Sequence, residues 1–121
     1  MSSPRATFRK HEHLRRPAEF RRVYEARCAA RDAILLVQGL ANDLAYARLG
    51  MSVSRQWGNA VVRNRWRRLM REAFRLSKTQ LPLGLDLVLI PRVSPPPNLE
   101  SIKKSLVELA AVVARKVKRR K

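Results

Sequence analysis

Trp57-Gly58-Asn59-Ala60-Val61-Val62-Arg63-Asn64-Arg65-Trp66-Arg67-Arg68-Leu69-Met70-Arg71-Glu72-Ala73-Phe74-Arg75 is the stretch on which the reading of this chain turns. Gly58 can break the preceding chain and Asn59 is a favoured N-cap residue, so the pattern predicts a helix beginning here and running to about Ser77. Wound at about 100° per residue, Val62, Trp66, Leu69, Met70 and Ala73 fall on one side. Arg63, Asn64, Arg67, Arg68, Arg71 and Arg75 fall on the other, with Phe74 at the border and Arg65 and Glu72 apart from both. Exposed helices ordinarily place acids three or four residues from bases, where each pair gains a few tenths of a kcal/mol. Here five arginines share a face without an acid among them, which costs self-repulsion and calls for negative charge from outside the chain.

A solvated basic face on a core-packed helix is the plainer reading of any charge run. Two details favour nucleic acid instead. The bases on this face are all arginine, whose planar fork fits phosphate oxygens and stacks on bases where an ammonium cannot. Asn64 sits inside the row despite its poor helix propensity, and its amide can both donate to and accept from a base edge or a ribose hydroxyl.

Upstream, residues 1–13 are polar and basic without apolar period and read as a mobile tail. His11-Glu12-His13 holds metal-ligand types, but a lone His-x-His in a tail reads as unstructured. Pro17 suits a first helical turn, and Phe20, Val23 and Tyr24 recur at helical spacing, predicting a short helix to about Arg27. Phe20 and Tyr24 are open to two readings, as core or as aromatic faces offered to unpaired bases beside Arg21 and Arg22, and composition favours core. Ala33–Gln38 reads as a strand, Gly39–Asp43 as a turn and Ala45–Val53 as a second strand, with Gly50 as a bulge and the two strands paired antiparallel.

Downstream, Leu85–Ile90 is the most strand-like segment and is apolar almost throughout, as a centrally buried strand would be. Pro91 ends it, Arg92 follows, and Ser94-Pro95-Pro96-Pro97-Asn98 is a breaker loop. A last helix is expected over Leu99–Lys116 with Ile102, Leu106, Leu109, Ala110 and Val113 inward. Residues 117–121 are expected to be a basic tail. The order is α-β-β(-β)-α-β-α, an α+β domain spanning residues 14–116 between two tails.

The whole chain of 121 residues carries 27 Lys and Arg against 9 Asp and Glu, a formal net charge of +18, which demands a polyanionic partner. No apolar run reaches the length of a spanning helix and no secretory signal opens the chain, so a membrane partner is not expected and a cytoplasmic setting is. Cys28 is the only cysteine, which excludes an intrachain disulfide and a multi-cysteine zinc site; it reads as a packing residue. The acids are scattered, the histidines lie in the tail, and no glycine-rich loop could cradle a phosphate. The chain reads as a binding protein and not as a catalyst.

Arg48-Leu49-Gly50-Met51-Ser52-Val53-Ser54, followed by Gly58 to Arg75 with its Arg63-Asn64-Arg65, closely resembles the protein subunits of bacterial ribonuclease P. The resemblance extends upstream through Leu14–Tyr24 and downstream through Leu85–Arg92, covering nearly the whole chain apart from the two tails. It implies a two-layer α/β sandwich with a left-handed βαβ crossover around the arginine helix, against the general right-handed rule. It also implies a ribonucleoprotein endonuclease whose RNA subunit holds the Mg²⁺ ions and cuts the 5′ leader from precursor tRNA. On this resemblance the protein alone is expected to bind no metal, and no obligate protein partner is expected. By position, Asn59, Arg63, Asn64, Arg65, Arg67, Arg68 and Arg71 look like the surface lying against the catalytic RNA. Phe20 and Tyr24 match the aromatics of the family's leader cleft, displacing the core reading, and Arg55 and Arg92 are similar to further basic positions there. Two departures stand out. Arg55-Gln56 replaces the pair of bases common after Ser-Val-Ser, and Ile34 to Gln38 lacks the aromatic that can face the leader. A structural RNA binder, such as a ribosomal protein, is the alternative.

Overall fold

Leu85–Pro91 (β4) is apolar along nearly its whole length because both of its faces are covered. In the computed structural model, which describes residues 9–119, it lies inside a four-stranded sheet of order β1-β2-β4-β3, formed with Ala29–Arg31 (β1), Leu35–Ala41 (β2) and Arg48–Met51 (β3). β2 runs antiparallel to β4, with Val37 opposite Leu89, and β3 runs parallel to it, with Gly50 opposite Val88. Three helices complete the fold: Pro17–Ala26 (α1), Ala60–Ser77 (α2) and Leu99–Arg119 (α3).

Strand alternation sorts the side chains into two cores. Leu35, Val37, Leu49, Leu87 and Leu89 point to one face, where they meet Trp66, Met70, Ala73 and Phe74 of α2 and Ile102, Leu106, Leu109, Ala110 and Val113 of α3. Val88 points the other way, to Leu14 and to Val23 of α1, with Phe20, Leu40 and Ile90 packed around them. Removing a fully buried ring such as Trp66 or Phe74 would cost about 3–5 kcal/mol. Cys28 is buried in the larger core, where its Sγ donates weakly to Val113 O at 3.7 Å.

Several expectations are corrected. β2 and β3 do not pair with each other; β4 stands between them, because a strand with two apolar faces takes the centre and two shorter strands of similar pattern carry no sign of their partners. Gly39 to Ala41 are strand and not turn, and Gly39 is needed there because a Cβ would stand 2.5 Å from Val113 Cγ1 of α3. Gly50 is not a bulge but sits in regular register. Ala29–Arg31 adds a strand ahead of the expected ones, and Asp32 turns the chain from it into β2 by accepting from the Ile34 and Leu35 amides at 2.8 and 2.9 Å.

The tails differ as well. Residues 10–12 form a 3₁₀ turn, His13 bridges to Leu49, and Glu12 is buried on Lys78 Nζ at 2.8 Å, while the expected tail over residues 1–8 lies outside the described residues. α3 continues through Arg119 because Lys116 Nζ caps the Ala29 carbonyl and Val117 still packs on the core; residues 120–121 lie outside the described residues.

Candidate nucleic-acid interface

Asn59 starts α2 as its sequence position predicts, its Oδ1 accepting from the Val62 amide at 3.0 Å. The buried side of the helix is Trp66, Met70, Ala73, Phe74 and Ser77. Phe74 is therefore core and not border, and its burial turns the helix so that Arg63 comes to the flank. Arg63 is half-buried with its Nε shielded from solvent and without a hydrogen-bond partner, not on the outward face where the wheel placed it. The outward stripe is instead Asn64, Arg65, Arg68 and Arg71, all exposed, so Arg65 joins the face from which it was set apart.

Arg67 lies beside this stripe and Arg75 continues it one turn on; both are half-buried, and each is held by a neighbour. Asn64 Oδ1 accepts from Arg67 Nη1 at 2.9 Å, so in the isolated chain the asparagine aims an arginine. Arg75 makes an ion pair with Glu72, the one acid on the helix, and the Arg75 side chain holds the Glu72 carboxyl below its ordinary range. Among the described residues no acid is placed against Arg65, Arg68 or Arg71 in this way. The α2 surface is thus a row of exposed guanidinium groups on a rigid, capped scaffold, which suits phosphate oxygens spaced along a strand.

On the opposite face of the sheet α1 is locked in place by charge. Glu19 Oε1 accepts from the Arg15 and Arg16 amides at 2.9 and 3.0 Å, and Oε2 meets Arg48 Nη1 at 2.9 Å. These amide bonds, with the Arg48 charge added, hold its carboxyl below the usual glutamate value. Arg48 in turn grips Asp86 of β4, and this hydrogen bonding raises its own pKa. On the inner side of α1, Val23 is buried, Phe20 half-buried and Tyr24 37% exposed, with the two rings 6.4 Å apart and tilted by 47°.

The sheet beside these rings is only half covered: Leu36, Gln38 and Ile90 are all half-buried and share the face with Val88. Arg31 of β1, paired opposite Leu36 and exposed, borders the same floor. Sequence reasoning missed Arg31, because a three-residue Ala-Ala-Arg strand carries no periodicity. It also missed the Glu19–Arg48–Asp86 chain, whose members are far apart in sequence. Arg55, in a 3₁₀ turn after β3, and Arg92, just after β4, lie at the same end of two parallel strands and are both exposed. Ser94 Oγ ties the two segments by donating to Trp57 O at 2.9 Å, and the Arg92 guanidinium donates to Asp32 O. That sheet end also carries the start of α2.

No helix of the described residues is long and apolar enough to cross a membrane, and among them no three His, Cys, Asp or Glu side chains gather as a metal site would require.

The sequence profile of the Ribonuclease P family matches residues 8–118. The chain belongs to the ribonuclease P protein family. It is 38% identical over 102 residues to the ribonuclease P protein component of Petrotoga mobilis, covering 84% of this chain and 86% of that one. It is 43% identical over 86 residues to that of Syntrophobacter fumaroxidans, covering 70% and 72%. Among solved structures, the ribonuclease P protein of Thermotoga maritima superposes with a TM-score of 0.75 at 30% identity, covering 82% of this chain and 94% of that one. That of Staphylococcus aureus gives 0.73 at 28%, covering 84% and 94%. Family membership places the chain in tRNA processing as a protein component of ribonuclease P, and the α+β fold with its mixed four-stranded sheet is that of the solved family members.

Proposed function

We propose that the chain binds the catalytic RNA of ribonuclease P through α2 and the 5′ leader of precursor tRNA through the half-open sheet face beside α1. The observation that carries this is the division of the chain into two unlike surfaces on opposite faces of one sheet. Arg65, Arg68 and Arg71, flanked by Arg63 and Arg67, with Asn59 capping the helix and Asn64 aiming Arg67, offer charge and hydrogen bonds but no aromatic plane. A folded RNA with closely spaced phosphates suits that side. Phe20 and Tyr24 offer π-faces above a shallow apolar floor, with Arg31 at its margin and Arg55 and Arg92 at the sheet end. An unpaired strand suits that side, since bases can stack while phosphates meet the arginines.

Removal of the leader is then hydrolysis carried by the RNA subunit. Mg²⁺ ions held mainly by that RNA would supply the charge stabilisation and the activation of the attacking water. The described side chains assemble no group of three or more metal ligands of their own, and Glu19, Glu72 and Asp86 are each engaged by arginine. The contribution of this chain is to hold the precursor so that leader and mature tRNA are gripped together, and to add positive charge where two RNA molecules meet.

The test is reconstitution. Combined with a bacterial ribonuclease P RNA at low magnesium, the protein should restore accurate 5′ processing of precursor tRNA, and alone it should cut nothing. Site-specific cutting without the RNA, or no stimulation with it, would overturn the reading.

A further inference from the structure

On β3 the position that meets the Phe20 ring carries no side chain. Gly50 lies on the α1 side of β3, and a Cβ built there would stand 2.7 Å from Phe20 Cε1, 2.8 Å from Cζ and 3.0 Å from Leu14 Cδ1. The backbone at Gly50 is ordinary strand in register with Val88, so glycine is required by the space and not by the chain conformation. In a packed interior such an overlap is relieved by moving whatever is free to move. The helix carrying the ring is not free. Glu19, the residue before Phe20, is bound at one oxygen by two α1-entry amides and at the other by Arg48, which is anchored by two hydrogen bonds to buried Asp86. Arg48 and Gly50 are two residues apart on one strand and so face the same way. One clamps α1 down, and the other leaves the hollow into which its aromatic ring is pressed.

We propose that Gly50 is a positioning residue for the precursor leader: its missing side chain sets the depth at which Phe20 lies, half in the core and half presented to an unpaired base. This rests on the reading of Phe20 and Tyr24 as the leader-binding aromatics. With α1 clamped, a methyl group at position 50 rotates the ring outward toward Tyr24, its neighbour at 6.4 Å, and disturbs both stacking faces together.

The experiment is a double-mutant cycle with Gly50→Ala and Phe20→Leu. The protein is assembled with a bacterial ribonuclease P RNA, and affinities are measured for precursor tRNA with a single-stranded leader and for mature tRNA. Phe20→Leu alone should lower the precursor-to-mature affinity ratio by about fivefold or more, as loss of a base stack does. Gly50→Ala should lower the ratio similarly while leaving mature tRNA binding unchanged, and should lower it no further in the Phe20→Leu background. An unchanged ratio in Gly50→Ala, or an equal loss in both backgrounds, overturns the role of Gly50 while leaving the leader cleft standing. An unchanged ratio in Phe20→Leu overturns the cleft reading itself and the proposal with it. Should Gly50→Ala fail to fold, Glu19→Gln loosens the clamp from the other side, keeping an acceptor for the α1 amides but no charge for Arg48. It should lower the ratio severalfold, and an unchanged ratio there overturns the proposal.

Discussion

Arg48 holds Asp86 through two parallel hydrogen bonds, Nε to Oδ1 at 2.8 Å and Nη2 to Oδ2 at 2.7 Å, with Asn42 Nδ2 completing the carboxylate at 2.9 Å. Asp86 is the only charge in β4 and is 4% exposed, so the pair is what makes a carboxylate tolerable in an otherwise apolar strand. Arg48→Met should therefore destabilise the fold by about 3–5 kcal/mol in chemical denaturation, because it strands a buried charge. Arg48→Met combined with Asp86→Leu should recover much of that loss. If the double variant is no better than the single, the cost arises elsewhere than in the unpaired carboxylate.

Acid should weaken the fold in a definable way. Burial pushes the Glu12 carboxyl up, but the Lys78 ammonium, the Arg9 amide and the His11 ring together outweigh it and leave the pKa below the ordinary 4.5. A carboxylate depressed in the folded state contributes stability that is fully present above its unfolded value and is lost as pH falls through the folded one. Glu12→Gln should flatten the acid limb of stability against pH, from about pH 4.5 downward, and change little near neutrality beyond a constant offset. An acid limb as steep as that of the parent chain would show that Glu12 titrates alike in both states.

Salt should report the arginine row directly. With about six to ten phosphate contacts, affinity for the RNA should fall by several orders of magnitude between about 50 and 200 mM monovalent salt. Arg68→Ala should reduce the steepness of that dependence by about one, and Glu72→Gln, which removes the one negative charge from the helix beside Arg75, should increase it. A slope indifferent to Arg68 would place that side chain away from phosphate.

The two aromatic residues of α1 should separate when each is replaced by alanine. Tyr24 is exposed, so Tyr24→Ala should leave thermal stability nearly unchanged while reducing precursor affinity by about 1–3 kcal/mol and sparing mature tRNA. Phe20 is half-buried against Gly50, Leu14 and Val88, so Phe20→Ala should lose both stability and leader affinity. A large fall in melting temperature for Tyr24→Ala, with no change in the precursor-to-mature ratio, would remove it from the cleft.

The helices were legible because each states its own period. Asn59 announces the start of α2, Pro17 that of α1, and the apolar positions of α3 are the ones that become buried. The sheet was legible only as far as the strands themselves. Nothing in Leu35–Ala41 or Arg48–Met51 states which neighbour each will take, since a strand's partner is chosen by the faces of other strands. The helical wheel misplaces Arg63 because it puts Phe74 at the border, and one large buried ring is enough to rotate a helix about its axis. The roles of Gly50 and Glu19 were out of reach for a different reason. Each depends on a residue some thirty positions away, and a glycine's usefulness lies in what fills the space it leaves.

β4 supplies Leu87 and Leu89 to the α2–α3 core and Val88 to the α1 core, alternating between them residue by residue. The strand therefore behaves as a keel between the two compartments, with β2 beside it also reaching into both through Leu35 and Val37 on one side and Leu40 on the other. Neither compartment can melt while the other stays whole, because loosening β4 unpacks both at once. On the proposed function the arginine row and the aromatic cleft thus have no independent lifetimes: an opening of the sheet centre should release both RNA partners together. Slow hydrogen exchange should accordingly reach its maximum at the β4 amides, and a destabilised chain should lose both grips in one transition, with no species retaining only one.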